Sequence, residues 1–195
     1  AEIHRIHDTK FNFRIIETGC DFQVGDLTVD TFSVPHDAID PIGFVLHTPA
    51  AQIGFLTDMG HGTRLVADRV KDTEVLLLET NHDVEMLNND PRRSWALKQR
   101  IMSRHGHLSN EAAAEFLEQL AHNRLEHIFC AHLSRDCNTP ELAKTEITQK
   151  LVQIGLPKVI VHLTSQSILS PTLEIFGNKT EILTEKTFAT PSIAL

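Results

Sequence analysis

Residues of metal-binding type stand just past several predicted strands. His36 follows the apolar run 27–34, Asp58 closes "QIGFLTD", Glu79 follows the apolar part of "EVLLLET", and His132 follows "EHIFCA". Imidazole and carboxylate are the ligands that Zn²⁺, Fe²⁺ and Mn²⁺ accept. A carboxylate can also bridge two ions, which a neutral imidazole cannot do. The loop "RHGHLSN" adds His105 and His107 ahead of a predicted helix. Singly, each has an ordinary explanation: a histidine at a strand end is commonly a surface or capping residue, and an Asp before Met-Gly commonly belongs to a turn. As an ordered set at successive strand ends they fit layered α/β folds, whose functional side chains collect beyond strand C-termini.

The elements that must position them read as follows. "FNFRII" (11–16), 27–34, 42–48 and 52–58 are short runs with β-branched or aromatic content, separated by Gly19, Gly25-Asp26, Pro35 and Pro49. "HGTRLVADRV" has apolar residues at helical spacing, and 74–80 is a continuous apolar run, as in a strand buried on both faces. A helix is expected from Pro91, another over 83–89, and a strongly amphipathic one over 109–123. "EHIFCAH" is a second buried strand. Thr139 is the expected N-cap of a helix that Pro140 opens and Gly155 stops. "KVIVHL" and "TLEIFG" are the last strands. Strands first and α/β alternation after predict a mixed α/β (α+β) layered fold. One domain is expected over 1–177, followed by a polar tail over 178–195.

The 195 residues suit one full core, and 41% apolar with 23% charged residues is ordinary for a globular domain. A net charge of −8 argues against nonspecific coating of nucleic acid. It does not exclude a nuclease, because bound metal ions add local positive charge. Cys20, Cys130 and Cys137 are widely spread, which predicts free thiols and a cytoplasmic setting. No apolar run is long enough to span a bilayer, and no charged-then-apolar leader opens the sequence.

The blocks "VPHDAIDPIGF", "GFLTDMG", "LLLETNHD", "GHLSNEAAAEFL" and "CAHLSRDCNTPELA" together resemble metallo-β-lactamase-fold hydrolases. Within them they are similar to the WalJ (YycJ)-type branch, related to phosphodiesterases and tRNA 3′-processing nucleases, over most of residues 27–176. The resemblance implies an αββα sandwich with a dinuclear site of Zn, or Mn/Fe, ions. His36 and His132 would be terminal ligands of the two ions and Asp58 their bridge. His107 beside the scissile phosphate, paired with Glu79, would be the general acid of phosphodiester hydrolysis by metal-hydroxide attack on phosphorus. Two readings stay open: Glu79 as a helix cap, and His105 rather than His107 pointing inward. Ser109 and Asn110 open a helix whose free N–H groups would seat a phosphate, or they merely cap it. His82 and Asp83 are outer partners of a metal-bound histidine or, the favoured reading, caps of the helix 83–89.

The family's H-x-H-x-D-H motif, expected ahead of His36, does not occur, and "HRIHD" (4–8) has the wrong spacing. The chain therefore reads as the C-terminal two-thirds of such a sandwich, lacking its N-terminal strands, with the other ligands supplied by the missing part. The expected substrate is nucleic acid or a small phosphodiester, with no membrane association and a homodimer as one assembly. Arg92, Arg93, Lys98, Arg100 and Arg104 would track a nucleic-acid backbone or, more commonly for such a segment, form a solvated helix face. Two other functions compete: a thioester or lactone hydrolase on the same fold, and a non-catalytic remnant or binding module.

Overall fold

The computed structural model describes residues 14–120, 124–176 and 179–183. In chain order the strands are β1 (Asp21–Val24), β2 (Leu27–Ser33), β3 (Ile42–His47), β4 (Gln52–Leu56), β5 (Val75–Glu79), β6 (His127–Ala131), β7 (Ile160–Leu163), β8 (Thr172–Phe176) and β9 (Lys179–Leu183). The helices are α1 (Arg64–Val70), α2 (Val84–Asn89), α3 (Trp95–Ile101), α4 (Asn110–Leu120) and α5 (Pro140–Gln153).

Strands β1 to β7 form one sheet in sequence order. The first four pair antiparallel, and β4 to β7 pair parallel. Because β2 and β4 both oppose β3, they run the same way as β5 and β6. The C-terminal ends of β2, β4, β5 and β6 therefore share one edge of the sheet, and the ordered histidines and carboxylates follow those ends.

Register divides the sheet into two faces. Leu56, Leu76, Leu78, Ile128, Cys130 and Val161 form one core with Val66, Ala67 and Val70 of α1, Phe116, Leu117 and Leu120 of α4, and Ala143, Ile147 and Leu151 of α5. The other face carries Phe44, Leu46, Ile53, Phe55 and Leu77, all half-buried. Strand alternation puts Glu79 on this second face, in register with Ala131. The interior strands β5 and β6 are buried almost throughout, which explains their unbroken apolar runs.

Local signals set most helix starts. Thr63, Asp83, Ser94 and Thr139 each accept a first-turn backbone N–H and so cap α1, α2, α3 and α5. Gly155, with φ of +81°, follows α5 where a stop was expected. The structure corrects three expectations. Pro91 lies in a turn and α3 begins only at Trp95, because Ser94 caps it while Asp90 engages the N–H of Arg92. Arg14, Ile15 and Ile16 are not in a strand, and residues 11–13 of that expected strand lie outside the described residues. Lys179–Leu183, expected in a tail, pairs with β8 as a two-stranded ribbon; residues 184–195 lie outside the described residues.

Candidate metal centre

Asp58 lies two positions beyond β4, and His132 directly follows β6. Their φ angles are +53° and +59°, the only positive values at non-glycine positions among the described residues. A left-handed backbone costs an L-residue roughly 1–2 kcal/mol, so the surrounding structure must hold both in place. Asn81 does part of this, donating from Nδ2 to the His132 carbonyl at 2.9 Å. The Asn81 carbonyl in turn accepts from the N–H of Ser134 at 2.8 Å.

The Asp58 carboxylate stands between two imidazoles. Its Oδ1 is 3.7 Å from His36 Nε2 and 3.7 Å from His132 Nε2. Two ligands on one tetrahedral ion with bonds of about 2.1 Å lie roughly 3.4 Å apart, so each pair is nearly one edge of such a tetrahedron. The tautomers suit ligation. His36 Nδ1 donates to the Gly106 carbonyl at 2.9 Å, and His132 Nδ1 donates to Glu79 Oε1 at 2.9 Å. Each Nε2 is then left with a lone pair, the usual arrangement for a histidine ligand. The chemistry of this donor set, two imidazole nitrogens and a carboxylate within reach of one another, suits divalent-metal ligation.

His107 stands between the other two histidines, its ring centroid 5.0 Å from that of His36 and 5.2 Å from that of His132. Its Nδ1 donates to Glu79 Oε1 at 2.6 Å. The Glu79 side chain has no exposure to solvent. Burial would push its carboxyl up, but the ring N–H groups of His107 and His132 and the Met59 N–H (2.7 Å to Oε2) outweigh that and hold it below its ordinary value. The hydrogen bond to Glu79 raises the His132 imidazole, against a smaller lowering by burial. Glu79 is thus a buried anion that orients two imidazoles. It is not the helix cap considered from sequence: Asp83 caps α2.

Three loops stack to make this possible. The Gly60 N–H donates to the Pro35 carbonyl at 2.8 Å, and the Asp37 N–H to the His105 carbonyl at 2.9 Å. A Cβ on Gly60 would lie 2.5 Å from the Arg104 carbonyl, and one on Gly106 would lie 2.1 Å from that of Ile101. Only glycine permits either approach. His105 is exposed, so of the two histidines in that loop it is His107 that faces Glu79.

Ser109 and Asn110 both make side-chain hydrogen bonds within the fold. Ser109 Oγ accepts from the Ala112 N–H at 3.1 Å, a cap for α4. Asn110 is buried, and its amide exchanges two 2.9 Å hydrogen bonds with that of Asn138. The Asn110 side chain thus ties the start of α4 to the loop ahead of α5. His82 is buried, its Nδ1 has no partner, and burial lowers it to about 4.

The basic segment is largely neutralised in place. Arg92 and Arg93 both hold the buried Asp90, and each also reaches Asp136. Arg100 pairs with Asp37, Lys98 Nζ donates to the Asn88 carbonyl, and Arg104 meets His61. Sequence reasoning missed Asn81, Asn138 and Asp90 as positioning residues. "TNHD" and "DCNTP" do place Asn where loops need side-chain hydrogen bonds, but a single sequence gives them no address.

Comparisons with known proteins bear on the family and the fold. The chain is 36% identical over 148 residues to exodeoxyribonuclease YycJ of Bacillus anthracis, covering 76% of this chain and 54% of that one. It is 36% identical over 164 residues to exodeoxyribonuclease WalJ of Streptococcus pneumoniae, covering 83% and 61%. The chain therefore spans little more than half the length of the curated relatives it matches. Among solved structures, the metallo-β-lactamase-fold protein YhfI of Bacillus subtilis superposes with a TM-score of 0.56 at 10% identity, covering 78% of this chain and 53% of that one. A diphosphatase of the PhnP family superposes with a TM-score of 0.50 at 14% identity, covering 82% and 48%. Residues 2–128 match the family described as "Beta-lactamase superfamily domain". With that match and the sheet described above, the chain belongs to the β-lactamase superfamily and has the metallo-β-lactamase fold.

Proposed function

We propose that the chain carries the phosphodiester-cleaving half-site of a metal-dependent exonuclease acting on DNA. The observation that carries this reading is the Glu79–His107 pair at 2.6 Å, set beside an Asp58 carboxylate shared by His36 and His132. The names of the two curated relatives support it.

His36, Asp58 and His132 would hold two divalent ions, of Zn, Mn or Fe. Such ions, when bound, lower the pKa of water and neutralise charge on the phosphoryl oxygens. The protein's own residues do the rest. Glu79 fixes the Nδ1 proton of His107, which leaves Nε2 as the ring atom that hands a proton to the departing oxygen. The Glu79 carboxylate holds the ring in place for that transfer, which takes the proton of Nε2 when both ring nitrogens carry one. Free Cys20, Cys130 and Cys137 suit a reducing, cytoplasmic setting.

The test is incubation of the purified protein with Mn²⁺ or Zn²⁺ and end-labelled DNA and RNA oligonucleotides. Stepwise shortening of DNA, lost on chelation and on His107→Ala, is expected. Undiminished cleavage by His107→Ala would remove the role assigned to that residue.

A further inference from the structure

Two cavities meet at His132, and they differ in character. One, of about 290 Å³, contains His107, His82, Asn81, Leu87 and Ile101. The other, of about 570 Å³, lies beyond the ends of β6 and β7 and is lined by Ser134, Arg135, Thr164, Ser165, Gln166 and Ser167, among others. They share His132, Leu133, Ser134 and Gln166, so together they form one cleft with His132 at the junction of its two arms.

The larger cavity has no carboxylate in its lining, although the chain carries a net charge of −8. Apart from His132, its single ionisable side chain is Arg135. Arg135 is exposed and has no ion pair among the described residues. Its acidic neighbour Asp136 is already held by Arg92 at 3.0 Å and Arg93 at 3.2 Å. Ser134, Thr164, Ser165 and Ser167 line the same cavity as this guanidinium-bearing residue. A fork of N–H donors beside hydroxyls and an amide, without any anion, is the chemistry that grips a phosphodiester backbone and reads no base.

We infer that the cavity beside Arg135 is a backbone-binding subsite for a single nucleic-acid strand whose scissile phosphate lies at His132, with Arg135 as its phosphate contact. The inference rests on the phosphodiesterase reading above and extends it. His107 lines the opposite arm of the cleft, so the leaving group occupies the smaller cavity and the retained strand crosses the larger one. Arg135 is a binding residue that acts away from the reacting atoms.

Fluorescence anisotropy with a labelled single-stranded oligodeoxynucleotide, in excess EDTA so that nothing is cut, tests it. Arg135→Ala should weaken binding roughly five- to tenfold and lower the slope of log K against log salt by about 0.7, the share of one phosphate contact on a single strand. Arg135→Lys should keep most of the slope. Lys71→Ala, an exposed charge after α1 at the far end of the sheet, is the control for simple loss of net charge and should change neither quantity. An unchanged slope and affinity in Arg135→Ala, with the parent chain binding normally, overturns the subsite and leaves the hydrolase reading standing. Absence of any salt-dependent binding by the parent chain overturns the nucleic-acid reading as well.

Discussion

The buried carboxylate of Glu79 accepts the Nδ1 proton of His107 at 2.6 Å. The same oxygen accepts from His132 at 2.9 Å, so one anion orients both the proposed acid and a proposed metal ligand. Glu79→Gln keeps the shape but can accept only through its amide oxygen and loses the charge. It should cut kcat on a DNA oligonucleotide, whose departing sugar oxygen needs a proton, roughly 10²–10⁴-fold, the usual worth of a positioned general acid. KM should move far less, and a steady-state pH series would resolve the split.

Asn81 holds the carbonyl of His132, whose backbone is left-handed. Asn81→Ala releases that carbonyl without touching the imidazole. Loss of such an outer partner typically costs about 10–100-fold in metal affinity. Competition with a chromophoric chelator should show that loss, with unfolding temperature changed far less.

Gly60 and Gly106 allow the three loops to touch. Gly106→Ala forces a methyl group against the Ile101 carbonyl and displaces the acceptor of His36 Nδ1. The expected destabilisation is at least the roughly 1–3 kcal/mol of overpacking. Urea unfolding would measure it, and an unchanged midpoint would show that the loop stack is looser than described.

Buried histidines give stability a definite pH slope. Burial holds His82 down to about 4, and it also lowers His127 and His162. Each is lowered below its unfolded value, so the unfolded chain binds the extra protons. Their contribution is complete above about pH 6.5 and fades as pH falls toward 4. His132, raised by Glu79, works in the opposite sense. For His82 the full swing is on the order of 3 kcal/mol. Thermal unfolding from pH 7.5 to 4.5 should fall more steeply for the parent chain than for His82→Phe, which removes the titrating ring.

Much of the fold was legible because β5 and β6 read as unbroken apolar runs and because Thr139, Pro140 and Gly155 mark both ends of α5. That His36, Asp58, Glu79 and His132 would come together was legible because they stand at strand ends in order, and chain direction puts those ends on one edge. Partners set by three-dimensional proximity were not. Nothing local says that Asn110 faces Asn138, which is 28 positions away, or that Asp90 draws in both Arg92 and Arg93. The start of α3 was misread for a related reason: Pro91 is a sound opener in isolation, but the carboxylate of Asp90 fixes the next residues as a turn.

The central claim is that Asp58 is shared between two metal positions, one completed by His36 and the other by His132. Calorimetric titration of the purified chain with Zn²⁺ tests it most directly, alongside His36→Ala, His132→Ala and Asp58→Ala. Each histidine variant should lose one binding event and keep the other, and Asp58→Ala should lose both. Binding by Asp58→Ala that matches the parent chain would contradict the shared carboxylate.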